Sequence, residues 1–268
     1  MRAVALVAGA VFRESVRDRV PYSMVVFAVL LMAASYLISQ LTAGQDLKII
    51  KDLGLAAIAI FGLLIAVFIG IGLVSKEVER KSVYGLLTKP VTRPQFILGK
   101  YAGLVLTLAV NIAAMTMAFF GVLYYIDVVA SESARAVWPA PAADPRLLVA
   151  IGLIFAELMV VTALALFFST FSSPLLATML TLGLWIAGHF NADLRNFEAV
   201  VESRAAAYLA RALYYVLPNF AAFDVKAQAV QGLPIPWSYM AVTTAYGATY
   251  IALLLTGAVV VFSRRDFK

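Results

Sequence analysis

Cysteine is absent from the 268 residues, and histidine occurs once, at His189. The first absence excludes disulfides, thiolate nucleophiles and cysteine–zinc sites, and the second leaves no histidine-built metal centre. Charge is also scarce. Charged residues make up 13% of the chain and hydrophobic residues 63%, against roughly 25% and 45–50% in ordinary soluble domains. A soluble chain of this size could not cover so much apolar surface, whereas a bilayer lets apolar side chains face outward. Missing too is the phosphate-cradling pattern Gly-x-x-x-x-Gly-Lys-Ser/Thr. Its nearest approach, Gly99-Lys100, is followed by Tyr101 and has Pro94 where the first glycine belongs. Any use of ATP must therefore reside in another polypeptide.

What is present is a series of long apolar runs, near residues 22–42, 54–75, 101–126, 146–170, 174–192 and 238–262. Each approaches or exceeds the ~20 residues that a bilayer crossing requires. Backbone groups in lipid must be satisfied internally, so unbroken runs of this kind are helices. The first run exceeds the roughly 7–15 residues of a signal-peptide core, which predicts a retained span. Asp144-Pro145 and Ser173-Pro174 read as helix starts, and Phe171–Ser173 as the tight turn between the fourth and fifth runs.

Six crossings put both termini on one side. That side collects 13 basic and five acidic residues, and the other eight basic and nine acidic. The positive-inside rule then predicts cytoplasmic termini, and it accounts for the +6 net charge without nucleic acid. Residues 3–19 carry Leu6, Val7, Val11, Phe12 and Val16 at helical spacing, with Arg13, Arg17 and Arg19 toward water. This predicts an interfacial amphipathic helix over about 1–20. The outside stretch 194–237 has an interrupted apolar segment broken by Pro218, Pro234 and Pro236, which fits a re-entrant or interfacial helix pair. Tyr214, Tyr215 and Trp237 read as anchors at headgroup depth.

The segment 76–100 lies between the second and third crossings on the basic side. It reads as a charged helix with Glu77 and Lys81 at i,i+4, stopped by Lys89-Pro90, and a second helix opened by a Thr92/Gln95 capping box with Pro94 in its first turn. On pattern alone, it either transmits force from a soluble partner or merely sets topology.

The string EVERKSVYGLLTKPVTRPQFILGK at 77–100 closely resembles the first cytoplasmic loop of type-2 ABC exporter permeases. The resemblance includes the branch containing the permeases of nitrous-oxide-reductase maturation and of gliding motility. FFSTFSSP at 167–174 and LYYVLPNF at 213–220 extend it over most of the chain. It implies an all-α integral membrane fold: six transmembrane helices in a single permease domain over 1–268, with a coupling helix at about 76–87. It also implies a cytoplasmic ABC ATPase subunit as partner, and a second permease subunit forming a homodimer or related heterodimer. No cofactor would be bound by this chain, with ATP and magnesium held by the ATPase. The location implied is a bacterial cytoplasmic membrane, in contact with lipid. The ATPase-coupling residues would be Lys76, Glu77, Glu79, Arg80, Lys81, Tyr84 and Arg93.

Three further groups have two readings each. Glu157, midway along the fourth run, lines a substrate path, binds a proton or gates, or else it is tied to Thr162, Asn111 or a backbone carbonyl. A carboxyl at that depth costs about 2.5 kcal/mol or more. Asn111 shares the substrate-path reading. Gly62, Ala66 and Gly70, spaced four apart, let helices approach closely, within one subunit or at a dimer seam. His189 and Asp193 share a helix face and suit interfacial hydrogen bonding better than a metal. No paired carboxylates or Ser/His/Asp set gathers at one depth, so a membrane enzyme is disfavoured. A non-transporting coupler that uses an ABC-type ATPase remains the alternative to an exporter.

Overall fold

The computed structural model describes residues 2–39, 46–79, 92–191, 211, 214 and 217–264, with side chains except at 37–39, 46, 73–79 and 264. Among these the elements are helical: α1 (Arg2–Arg17), α2 (Arg19–Ser39), α3 (Asp46–Glu79), α4 (Arg93–Val129), α5 (Glu132–Ala136), α6 (Arg146–Ser169), α7 (Pro174–His189), a 3₁₀ turn at Phe220–Phe223, α8 (Lys226–Val230) and α9 (Trp237–Arg264). Within the described helices, prolines fall in first turns only, at Pro21, Pro94 and Pro174, where a missing N–H costs nothing. The interiors of α3, α6 and α9 contain none. The Thr92 N–H donates to Gln95 Oε1 at 3.2 Å, and the expected capping box opens α4.

Five helices, α2, α3, α4, α6 and α9, are long and apolar enough to cross a membrane. The fifth expected run differs. Its helix α7 has 16 residues, about 24 Å at 1.5 Å per residue, short of the ~30 Å hydrocarbon layer. By contrast α4, at 37 residues, is about 55 Å long and outreaches that layer.

The bundle is organised around α6, which packs against α3, α4, α7, α8, α9 and the 3₁₀ turn. Its residues from Val160 to Leu166 are buried without a break, so every face of the helix is covered. The small-residue row of α3 makes this possible. A Cβ on Gly62 would meet Leu158 Cδ1 at 2.5 Å, and one on Gly70 would meet Ala165 Cβ at 3.0 Å. Ala66, between them, is 3% exposed. These three positions are therefore taken up by packing within the chain.

The N-terminal helix is docked rather than free. A Cβ on Gly99 would lie 2.6 Å from Val7 Cβ, and one on Gly103 would lie 2.7 Å from both the Ala8 carbonyl oxygen and Val11 Cβ. A step of four residues on α4 thus matches a step of four on α1 in the same sense, so the two helices lie lengthwise and parallel. The buried stripe is Val7, Val11 and Ser15, while Leu6 is 71% and Val16 37% exposed. The expectation that placed Leu6, Val7, Val11, Phe12 and Val16 on one interfacial face is rotated by the glycine seat.

Candidate functional site

Two regions carry the chemistry. The first is the end of the bundle where α1, the last turns of α3 and the start of α4 meet. Arg93 Nη1 donates to the Phe262 carbonyl at 3.3 Å and to the Ser263 carbonyl, capping the C-terminus of α9 as a cation should. The Phe96 and Phe262 rings stack at 5.8 Å, and the Lys100 ammonium sits 4.8 Å from the Phe96 ring centre. Arg93, expected to face a partner, is engaged within the chain. Lys76, Glu77 and Glu79 lie on the last turns of α3, but their side chains are outside the described set. Arg80, Lys81 and Tyr84 lie outside the described residues altogether.

The second region is inside the bundle. The α6–α7 hairpin turns at Thr170–Ser173, which brings Glu157 opposite Trp185 and His189. Trp185 Nε1 donates to Glu157 Oε1 at 2.6 Å, and His189 Nε2 lies 3.6 Å from the same oxygen. His189 Nδ1 is 3.0 Å from the Trp185 carbonyl oxygen, one turn back. Glu157 is 6% exposed. The partners weighed from sequence are not the ones it uses, because Thr162 Oγ1 donates to the Leu158 carbonyl and Asn111 Nδ2 to the Thr107 carbonyl. Each of those side chains closes onto its own helix one turn back, and the described partners of the Glu157 carboxyl are Trp185 and His189 instead. The signal that could have found the cluster is arithmetic: Glu157 and Trp185 are equidistant from residue 171, and Glu157 and His189 from residue 173. Asp193, the other half of the expected histidine pair, lies outside the described residues.

A cap closes this region. From Leu217 the chain passes over the end of α7, through the 3₁₀ turn and α8, to Gly232. A Cβ on Gly188 would meet the Pro218 carbonyl oxygen at 2.5 Å, and the Phe220 ring stacks on His189 at 5.9 Å. Irregular backbone inside a membrane bundle needs internal partners, and side chains supply them. Asn191 Nδ2 donates to the Leu217 carbonyl at 3.1 Å, the Asn219 N–H donates to Tyr246 Oη at 2.8 Å, and Tyr239 Oη donates to the Ala222 carbonyl at 2.6 Å. At the outer limit of α6, Arg146 donates to the Gly232 carbonyl, and Gly232 takes φ +70°, a left-handed conformation that favours glycine. The described part of the expected 194–237 region is thus packed onto the bundle through Leu217, Phe220, Phe223, Val225, Ala229 and Val230, while Asp224, Gln228 and Leu233 are exposed and Trp237 is 80% exposed at the start of α9.

Five helices long and apolar enough to cross a bilayer, with large side chains such as Phe27, Phe68, Met117 and Val242 exposed along them, define a polytopic α-helical integral membrane protein. The chain belongs to the ABC-2 family transporter proteins, whose family model matches residues 6–267. It is accordingly the membrane permease component of an ABC transporter, distinct from the ATPase component. No curated protein matches the chain.

Proposed function

We propose that this permease is the membrane half of an exporter, worked from the cytoplasm by a separate ABC ATPase subunit that binds ATP and magnesium. Two permease chains, identical or related, enclose the path, and both termini face the cytoplasm of a bacterial inner membrane. The sequence of its first loop supports a place in the branch that contains the nitrous-oxide-reductase and gliding-motility permeases. The single domain over 1–268 binds no cofactor of its own.

The observation that carries this reading is the glycine seat of α1 on α4. It joins the N-terminal helix, with Arg2, Arg13 and Arg17 exposed, to the same helix that follows the 76–92 segment. A push on that segment reaches α3 on one side and α4 with α1 on the other. Through Arg93 it also reaches the end of α9. Lipid contact is supported by an apolar crevice of about 590 Å³ between α4, α6 and α9, lined by Leu98, Tyr101, Met159, Ile251 and Val259.

Reversing two charges together, Glu79→Lys with Arg80→Glu, tests the proposal. The variant is expected to insert normally but to lose co-purification of the ATPase and at least about tenfold of its transport, the equivalent of about 1.4 kcal/mol of coupling. Unchanged co-purification and transport would remove the coupling role from this segment. Substrate-stimulated ATP hydrolysis in vesicles separates an exporter from a coupler that moves nothing.

A further inference from the structure

We propose that Glu157 and His189 form a proton-binding site, charge-neutral only when it holds one proton, which latches the 217–230 cap onto α6 and α7. The hydrogen-bond pattern sets the proton count. The Trp185 carbonyl, 3.0 Å from His189 Nδ1, can only accept, so Nδ1 carries a hydrogen. Nε2 then faces Glu157 Oε1 at 3.6 Å with either an N–H or a lone pair. If it presents an N–H, the carboxyl is ionised and the imidazole cationic. If it presents a lone pair, the carboxyl must bring the proton, since two lone pairs would repel. Each neutral arrangement holds one proton between the two groups. The indole N–H at 2.6 Å and the C-terminal end of α7, where a cation is favoured, both support the ion-pair form.

A second proton leaves the pair with net positive charge, and loss of the first leaves net negative charge. Either state leaves an uncompensated charge in a site where the carboxyl is 8% and the imidazole 24% exposed, which is disfavoured. The two steps belong to the pair rather than to one residue. Among the described residues, the other charged groups within electrostatic reach of the carboxyl are Asp224 and Lys226 of the cap, and these pair with each other at 3.4 Å. From α9 the cap receives Tyr246 and Tyr250, whose hydroxyls are bonded to the Asn219 N–H and the Leu217 carbonyl.

The site is built to report its charge to the cap. The His189 ring is stacked on Phe220, and Gly188 beside it receives the Pro218 carbonyl. A ring driven from the carboxyl displaces both contacts. The cap is therefore held most tightly at the pH where one proton is bound, and released at both more acid and more alkaline pH.

The test needs only the chain itself, so it stands or falls apart from the ATPase partner. The sequence has no cysteine, which allows single-cysteine reporters: Val225→Cys, at a position 2% exposed, and Gln228→Cys, at an exposed one. The ratio of their maleimide labelling rates cancels the thiol's own pH dependence. Measured in detergent from about pH 5 to pH 9, the ratio is expected to pass through a minimum and rise about tenfold on either side. Glu157→Gln is expected to erase the alkaline rise and keep the acid one. His189→Gln is expected to do the reverse. Trp185→Phe, which removes a donor but no titrating group, keeps both. A flat ratio in the otherwise unsubstituted chain, or limbs that neither variant alters, would overturn the proposal. Should either variant fail to fold, the two-limbed profile of the unsubstituted chain decides.

Discussion

Leucine at position 103 is expected to abolish energised transport without preventing membrane insertion. A Cβ there would stand 2.7 Å from the Ala8 carbonyl oxygen and from Val11 Cβ. The first of these is helix backbone and cannot swing aside, so α1 as a whole must lift away from α4. Overpacking of this kind costs about 1–3 kcal/mol, and the separation also uncovers Val7 and Val11, each worth roughly 1.5–3 kcal/mol when fully buried. The helix has no comparable second seat, since its contacts with α2 and α3 are far fewer than those with α4. The measurement is protection of a Val7→Cys thiol, expected to be slow in the parent and fast in Gly103→Leu. Gly9 supplies the control. It lies in α1 with nothing within 4 Å of where its Cβ would be, so Gly9→Leu should leave protection and transport intact.

The second large effect is expected at the cap. Phe220 is fully buried, lies over Gly188 and stacks on His189. Truncation to alanine leaves a cavity between α6, α7 and the cap, at a cost of about 3–5 kcal/mol. For a chain of this size that corresponds to a loss of roughly 10 °C in melting temperature. Phe190, two residues beyond Gly188 and 59% exposed, is the contrast, because its ring faces outward and Phe190→Ala should melt close to the parent. Equal melting of the two variants would mean that the cap contributes nothing to the fold. A related expectation tests the buried backbone of the cap. Tyr239→Phe removes the hydroxyl bonded to the Ala222 carbonyl and should cost about 1 kcal/mol, read as a small drop in the same melt.

The helices were legible because a bilayer asks for one thing, an unbroken apolar run, and α2, α3, α4, α6 and α9 each supply it. The turn at Thr170–Ser173 was legible from its Ser-Pro signal, and with it the pairing of Glu157 with Trp185 and His189 could have been read by counting outward. The register of α1 could not. Leu6 and Val16 are as apolar as Val7 and Val11, and only Gly99 and Gly103, nearly a hundred residues on, decide which face is buried. The short reach of α7 was hidden for a similar reason, since the run 174–192 contains no Asp, Glu, Lys or Arg to mark an end while the helix stops at His189. The cap has no helical or strand period to detect. Its 3₁₀ turn and five-residue helix are held by Asn191, Tyr239 and Tyr246, which come from other elements. The bond of Arg93 to the end of α9 was not legible either, because its partners are backbone carbonyls 169 and 170 residues away.

We propose a permease without a motor of its own, driven by another subunit at the end where α1 meets α4. Purifying the native complex from membranes in mild detergent, and assaying its ATP hydrolysis against that of the permease alone, tests this most directly. The account predicts that a subunit bearing a phosphate-binding loop accompanies the permease in equal proportion, that hydrolysis belongs to the complex alone, and that Gly103→Leu releases the subunit. Hydrolysis or energised transport by the isolated permease, or an undiminished complex in Gly103→Leu, would contradict it.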